Sequence, residues 1–370
     1  MKYRIFEGCR IVEGFERCIV EDLQRSTYKF YPKIITHLFD EKGILCNNLS
    51  LFDDDYKYLT NVLAKDEMIF PIDDIEADNF TQLDLSWEYP AHITNCIIVW
   101  NESFIEEYIR MIKEDFLHTN CRHLQFQIYD SLLSEQFFSI QNTINNSIIQ
   151  SVEYIVGKNN FADENKLKEW VQQNKKIRFV SLCGSQNNSI ISNGENGMGV
   201  IVRTIEEIES PMQCGNVHYN YFSSNIELFT EAQHHNTCLN RKICIDANGD
   251  IKNCPAMKKS YGNICDTTLK EAIEKPGFKD CWTICKDQID VCKDCEFRYM
   301  CTDCRAFTKD PDNPYSQPAK CTYNPYICLW EGQDGYVPVE ECGAYSRAMG
   351  FVPDKDKIAE LNKRIWGEEE

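Results

Sequence analysis

No run of apolar residues in this chain is long enough to span a bilayer, and the opening Met1-Lys-Tyr-Arg-Ile-Phe-Glu-Gly8 lacks the apolar stretch of a signal peptide. The expectation is a cytoplasmic protein with no membrane partner. Positive charge is scarce: 39 Lys and Arg stand against 58 Asp and Glu, a net charge of −19. Affinity for nucleic acid rests mainly on Lys and Arg at phosphates, so nucleic acid is excluded as a partner, and a basic peptide or protein surface is favoured instead. Neither Gly184–Asn188 nor Asn193–Gly199 continues into the Gly-Lys-Ser/Thr of a phosphate-binding loop. No Ser/His/Asp, Cys/His or paired-carboxylate arrangement stands out, which leaves no catalytic residue to name.

What the chain has is core-forming residues and sulfur. Of its 370 residues 43% are hydrophobic and 12% aromatic, enough for a substantial core spread over two or three domains. It has 20 cysteines, of which 12 lie between Cys238 and Cys328. Cysteines in a reducing compartment stay reduced, so metal ligation explains this density better than disulfides. In order the sulfurs read Cys238-x5-Cys244-x9-Cys254, then Cys292-x2-Cys295-x5-Cys301-x2-Cys304, then Cys321. These eight suffice for two four-thiolate sites, each able to hold an iron–sulfur cluster or a tetrahedral zinc. Cys328 is a rival for the place of Cys321. Cys9, Cys18, Cys46, Cys96, Cys121, Cys183 and Cys214 are expected to be buried apolar residues, and Cys265, Cys281 and Cys285 to be spare structural thiols.

Around the first three sulfurs the sequence suggests a local geometry. Lys242–Ile245 and Asp250–Asn253 form two short strands joined through Asp246–Asp250, with Gly249 left-handed in a bulged hairpin. That register puts Cys244 and Cys254 on one face. A two-residue Asn248-Gly249 turn would put them on opposite faces.

Along the chain, residues 1–75 form a small unit. Lys2–Phe6, Arg17–Leu23 and Tyr28–Tyr31 read as strands, Ile34 to Phe39 and the stretch after Asp53–Asp55 as helices, and Met68–Ile72 as a closing strand. Asp73 to Ser86 is an acidic linker. Residues 86–236 alternate strands (Ile93–Trp100, Leu124–Tyr129, Val152–Val156, Ile177–Cys183, Val200–Val202, Val217–Phe222) with helices such as Ile105–Phe116. This alternation predicts an α/β fold, a parallel sheet or partial barrel with helices outside. Residues 237–330 hold the cysteines, and 331–370 form a C-terminal extension with a helix at Asp354–Trp366.

Cys238–Cys254, Gly262-Asn-Ile264 and Cys292-Lys-Asp-Cys295-Glu-Phe-Arg-Tyr-Met-Cys301-Thr-Asp-Cys304 together resemble the SPASM domain, usually the C-terminal extension of radical SAM peptide-modifying enzymes. The resemblance implies two [4Fe-4S] clusters, one on Cys238, Cys244, Cys254 and Cys304 and the other on Cys292, Cys295, Cys301 and Cys321, with two zinc ions as the alternative. The family's last spacing is x3, where this chain has x2 between Cys301 and Cys304. The three cysteines spaced x3 and x2 that hold the reducing cluster of a radical SAM enzyme are absent: the strand Ile93–Trp100 has Cys96 alone, and Cys281-x3-Cys285 is followed by Gln288 where a third is needed. No adenosyl-radical chemistry is expected. The first 75 residues resemble a winged-helix leader-recognition element, and Cys9–Cys18 with Tyr28–Pro32 resembles the N-terminus of the maturase of grasp-with-spasm systems. These resemblances imply a fold like the radical SAM core and an accessory maturase binding a ribosomal precursor peptide, an ATP-grasp ligase, or both. An iron–sulfur redox protein acting on a peptide, or a zinc-stabilised scaffold, is the other reading.

Overall fold

The computed structural model describes residues 2–46, 51–73, 76, 79–129, 135–157 and 164–367. The chain divides into two compact units: one gathers residues 1–88, 216–237 and 283–370, the other 89–215 and 238–282. This division does not follow the four consecutive spans of the sequence reading, because the first and last parts of the chain share a unit.

The first unit begins with β1 (Lys2–Ile5), β2 (Cys9–Glu13), β3 (Arg17–Asp22) and β4 (Thr27–Pro32); β5 is Ile69–Ile72. β1 pairs antiparallel with β5, and β2, β3 and β4 form a separate antiparallel sheet in that order. β2 had no counterpart in the sequence reading. Ile34 to Phe39 does not make an α-helix: Lys33–His37 is a short 3-10 turn, as suits a β-branched run, Ile34-Ile35-Thr36, directly after a proline. The helix after the aspartates is there, at Asp53–Lys65, with Leu59 and Leu63 buried and three acids at its positive end.

The second unit is a mixed α/β structure around one eight-stranded sheet. Its strands are β6 (Asn95–Val99), β7 (His123–Ile128), β8 (Ser151–Val156), β9 (Ile177–Leu182), β10 (Ser189–Glu195), β11 (Met198–Arg203), β12 (Lys242–Ile245) and β13 (Ile251–Lys252). The order is β10-β11-β9-β8-β7-β6-β12-β13, with the six strands from β11 to β12 mutually parallel and an antiparallel strand at each end. Helices over Ile105–Arg110, Glu135–Asn145 and Glu164–Gln173 connect successive parallel strands, as parallel pairing requires. Trp100, Phe126, Phe137 and Tyr154 fill the core, Phe126 stacking on Tyr154 at 5.4 Å. β10 had no counterpart in the sequence reading; it pairs with β11 across a turn at Asn196-Gly197, where Gly197 has φ +75°.

The rest of the first unit has little regular structure. Val217–Phe222 is not a strand: Val217 makes one bridge to Cys321, and Tyr219–Tyr221 is a 3-10 turn capped by the His218 ring, which accepts from the Asn220 N–H at 3.2 Å. Its aromatic residues pack on side chains instead, Phe222 lying 5.1 Å from Phe297. After the cysteine-rich stretch come the two-residue strands β14 (Tyr323–Asn324) and β15 (Leu329–Trp330), then the hairpin β16 (Gly343–Ser346) and β17 (Gly350–Pro353). The final helix, Lys355–Trp366, is capped by Asp354 and packs Ile358 and Leu361 against Tyr326 and Phe351. Among the described residues no helix is long and apolar enough to cross a membrane.

Candidate metal centre

In the first unit, backbone strain comes directly before the CxxC pair. Val291 is buried with φ +67° and ψ −44°, a γ-turn conformation that a β-branched residue rarely adopts, with the Cys292 N–H donating to the Asp290 carbonyl at 2.7 Å. It opens a 3-10 turn over Cys292–Asp294, closed by the Cys295 N–H donating to the Cys292 carbonyl at 3.1 Å. This turn and the bridge between Val217 and Cys321 bring distant segments together. Cys292, Cys295, Cys301 and Cys321 line one small cavity, with Phe222, Phe297 and Trp330 among its apolar walls. They are the four that the resemblance assigned to one site. Cys328, the rival for the place of Cys321, lines a separate groove with Arg17, Lys33 and Trp366.

The donor set suits a metal–sulfur group, with four thiols and no carboxylate or imidazole in the lining. Burial pushes the Cys292 and Cys301 thiols up to about 11 and raises Cys295 and Cys321 as well. In low dielectric such thiols stay protonated until a cation replaces the proton. Among the described residues no three His, Cys, Asp or Glu side chains converge to hold a single metal ion.

A buried cation lies beside these sulfurs. Lys286 places its Nζ 3.5 Å from Cys301 Sγ and 3.9 Å from Cys292 Sγ. The carboxylate of Asp303, two residues after Cys301, is 3.6 Å from the same Nζ and is gripped by the Arg305 guanidinium at 2.6 and 3.1 Å and by Asn236 at 2.6 Å. The sequence reading did not identify Lys286, Asp303 or Arg305. Nothing in the local pattern separates a buried lysine from the solvated lysines that are the rule.

The remaining predicted ligands are divided between the units. Cys304 is buried in the first unit, while Cys238, Cys244 and Cys254 belong to the second. The hairpin around Cys244 takes the longer of the two turns considered. Cys244 pairs with Lys252 and Ile245 with Ile251, Gly249 has φ +80°, and Asp246 Oδ1 accepts from the N–H groups of Asn248 and Asp250 at 2.9 and 3.0 Å. Cys254 lies two residues beyond β13, outside the ladder, and acts electrostatically on Cys244. Burial raises Cys254 to about 12 and raises Cys244 as well, and Lys242 Nζ lies 3.7 Å from Cys238 Sγ. Of the seven earlier cysteines, five are buried as expected, whereas Cys46 is half-buried and Cys214 is exposed. Cys214 acts electrostatically on both Cys254 and Lys242, a proximity that its isolation in sequence hides. Cys285 is buried, Cys281 half-buried and Cys265 exposed.

No family model and no curated protein matches the chain. Among solved structures the chain is similar to SuiB of Streptococcus suis, with 11% sequence identity and a TM-score of 0.28 over 86% of this chain and 99% of that one. A likeness at that score carries no argument about fold or function.

Proposed function

We propose that the protein is an accessory maturase of ribosomal peptide biosynthesis, resembling the SPASM-domain partners of ATP-grasp ligases, with iron–sulfur clusters held by its cysteines. The observation that carries this reading is the common cavity of Cys292, Cys295, Cys301 and Cys321, thiols spread over 30 positions of sequence. Four thiols in one lining could serve a four-iron cluster or a tetrahedral zinc, and the resemblance of the cysteine spacing to the SPASM domain favours the cluster. Cys238, Cys244, Cys254 and Cys304 are proposed for the other cluster. When bound, such a group supplies one-electron chemistry and covalent order to the segment that holds it.

The chain's own residues have complementary roles in this reading. β4 is the outer strand of its sheet, and its outer edge can accept an extended leader peptide by main-chain pairing, with exposed Phe30 as an apolar anchor. The eight-stranded sheet, proposed as a partial barrel like the radical SAM core, then serves as scaffold. In agreement with the missing x3 and x2 cysteine triplet, the proposal includes no adenosyl-radical step.

The test is anaerobic purification with iron, sulfide and zinc quantified, followed by pull-down of precursor peptide and ligase. About eight irons and eight sulfides per chain, the content of two four-iron clusters, are expected. About two zincs without sulfide would replace the clusters by a scaffold role. Failure to retain either partner would remove the maturase assignment.

A further inference from the structure

We infer that Lys286 sets the charge of the thiol cavity: its ammonium is fixed against Cys301 and Cys292 to balance an anionic four-thiolate centre, and it favours that centre's reduced form. The inference deepens the iron–sulfur reading and rests on it.

The argument is a balance of buried charge. Lys286 is 3% exposed, Arg305 8% and Asp303 1%, so two cations share one carboxylate away from water. The carboxylate is already occupied, since Arg305 donates twice to its Oδ1 and Asn236 donates to its Oδ2. Lys286 stands 3.6 Å from Oδ1, an ion pair beyond hydrogen-bonding distance, so Asp303 faces two cations and can balance only one of them. The other guanidinium donor with buried partners goes to the neutral carbonyls of Pro314 and Ser316. One positive charge is left over in a low-dielectric interior, where an uncompensated ion is strongly destabilising. The sulfurs at 3.5 and 3.9 Å are the groups that can answer it, and they do so as thiolates, the form in which they bind metal.

The consequence for a cluster follows from its charge. Four thiolates around a [4Fe-4S]²⁺ core carry two net negative charges, and one electron taken from an external reductant makes three. A nearby ammonium stabilises the second state more than the first. Lysine at this position therefore raises the reduction potential.

The experiment is a dithionite titration of the anaerobic full-length protein, after iron and sulfide have been counted, with the wave missing in Cys295→Ala taken as that of this centre. Lys286→Met with undiminished iron should lose about tenfold in the equilibrium constant for reduction, about 59 mV for a one-electron couple. Lys286→Arg should stay near wild type, and Asp303→Asn should shift the opposite way. If Lys286→Met loses its iron, recovery of both iron and potential in Lys286→Arg supports the inference, and loss of iron in both overturns it. An unchanged potential in a fully loaded Lys286→Met also overturns it. Wild-type protein with zinc and no sulfide would overturn the iron–sulfur reading itself, an outcome seen before any titration begins.

Discussion

The two groups of cysteines rest on different kinds of scaffold. Cys238, Cys244 and Cys254 belong to the unit built on the eight-stranded sheet, and Cys244 sits on a strand paired on both sides, with β6 and with β13. Cys292, Cys295, Cys301 and Cys321 belong to a stretch, 283–330, whose described backbone forms short 3-10 turns and the brief strands β14 and β15. Ladders and a large apolar cluster can order the first group before any metal arrives. The second group has a strained residue, a cavity and buried charges in their place, and there metal binding and folding should be one event. Each group also has a lysine ammonium within 4 Å of a sulfur, Lys242 at Cys238 and Lys286 at Cys301.

Removing a ligand on each side gives the largest contrast. Cys301→Ala should lose about half of the iron and sulfide, one cluster of two, and leave 283–330 open to hydrogen exchange while β6–β9 stays protected. Cys254→Ala should cost a similar amount of metal with little change in exchange anywhere in the sheet. Equal loss of protection in both would remove the distinction between the scaffolds.

Damage to the sheet core should act in the opposite sense. Phe126 is fully buried against Tyr154, and Phe126→Ala should cost about 3–5 kcal/mol in denaturant unfolding of the sheet unit. Iron held by the other cysteine group should be retained until that unit unfolds. A smaller test sits where the scaffold meets a ligand. Gly249 has φ +80°, and an added Cβ would stand 3.0 Å from the Phe104 ring, so Gly249→Ala should cost about 1–2 kcal/mol and weaken metal at Cys244 and Cys254. Full metal content with unchanged melting would show that the turn does not set the register.

A further expected effect is a dependence on pH in the unit that holds the second group. Glu21 is fully buried in β3, and burial raises its carboxyl from 4.5 to about 8. The folded chain keeps a proton that the unfolded chain releases, so this group's contribution is complete below about pH 4.5 and is lost as pH rises through about 8. Glu21→Gln should flatten the melting temperature across that window and be the more stable form at its upper end. A slope unchanged by the substitution would show Glu21 solvated.

Legibility in the sequence followed the range of the interactions. Ile97-Ile-Val99, Leu124–Ile128 and Val152–Val156 are short apolar or alternating runs separated by helical segments, and they became parallel neighbours because crossover connections leave few other pairings. Asp246 and Gly249 specified a turn from side-chain reach and backbone freedom, both local properties. Val217–Phe222 has the composition of a strand, but among the described residues it bridges only Cys321, so packing of its aromatic rings overrode propensity. The polar Ser189–Glu195 has little strand signal and is paired because the turn at Asn196-Gly197 lays it along β11.

By itself the sequence determined most of the alternating elements and the cysteine spacings, because each depends on residues a few positions apart, while it left the hairpin register open between two turns. Tertiary structure alone decided that Cys321 and not Cys328 joins the cavity of Cys292, Cys295 and Cys301. It also decided that Lys286 is buried beside them and that the first and last parts of the chain share a unit. The physical reason is that burial and charge compensation belong to side chains gathered from distant segments, and no local pattern records which segments meet.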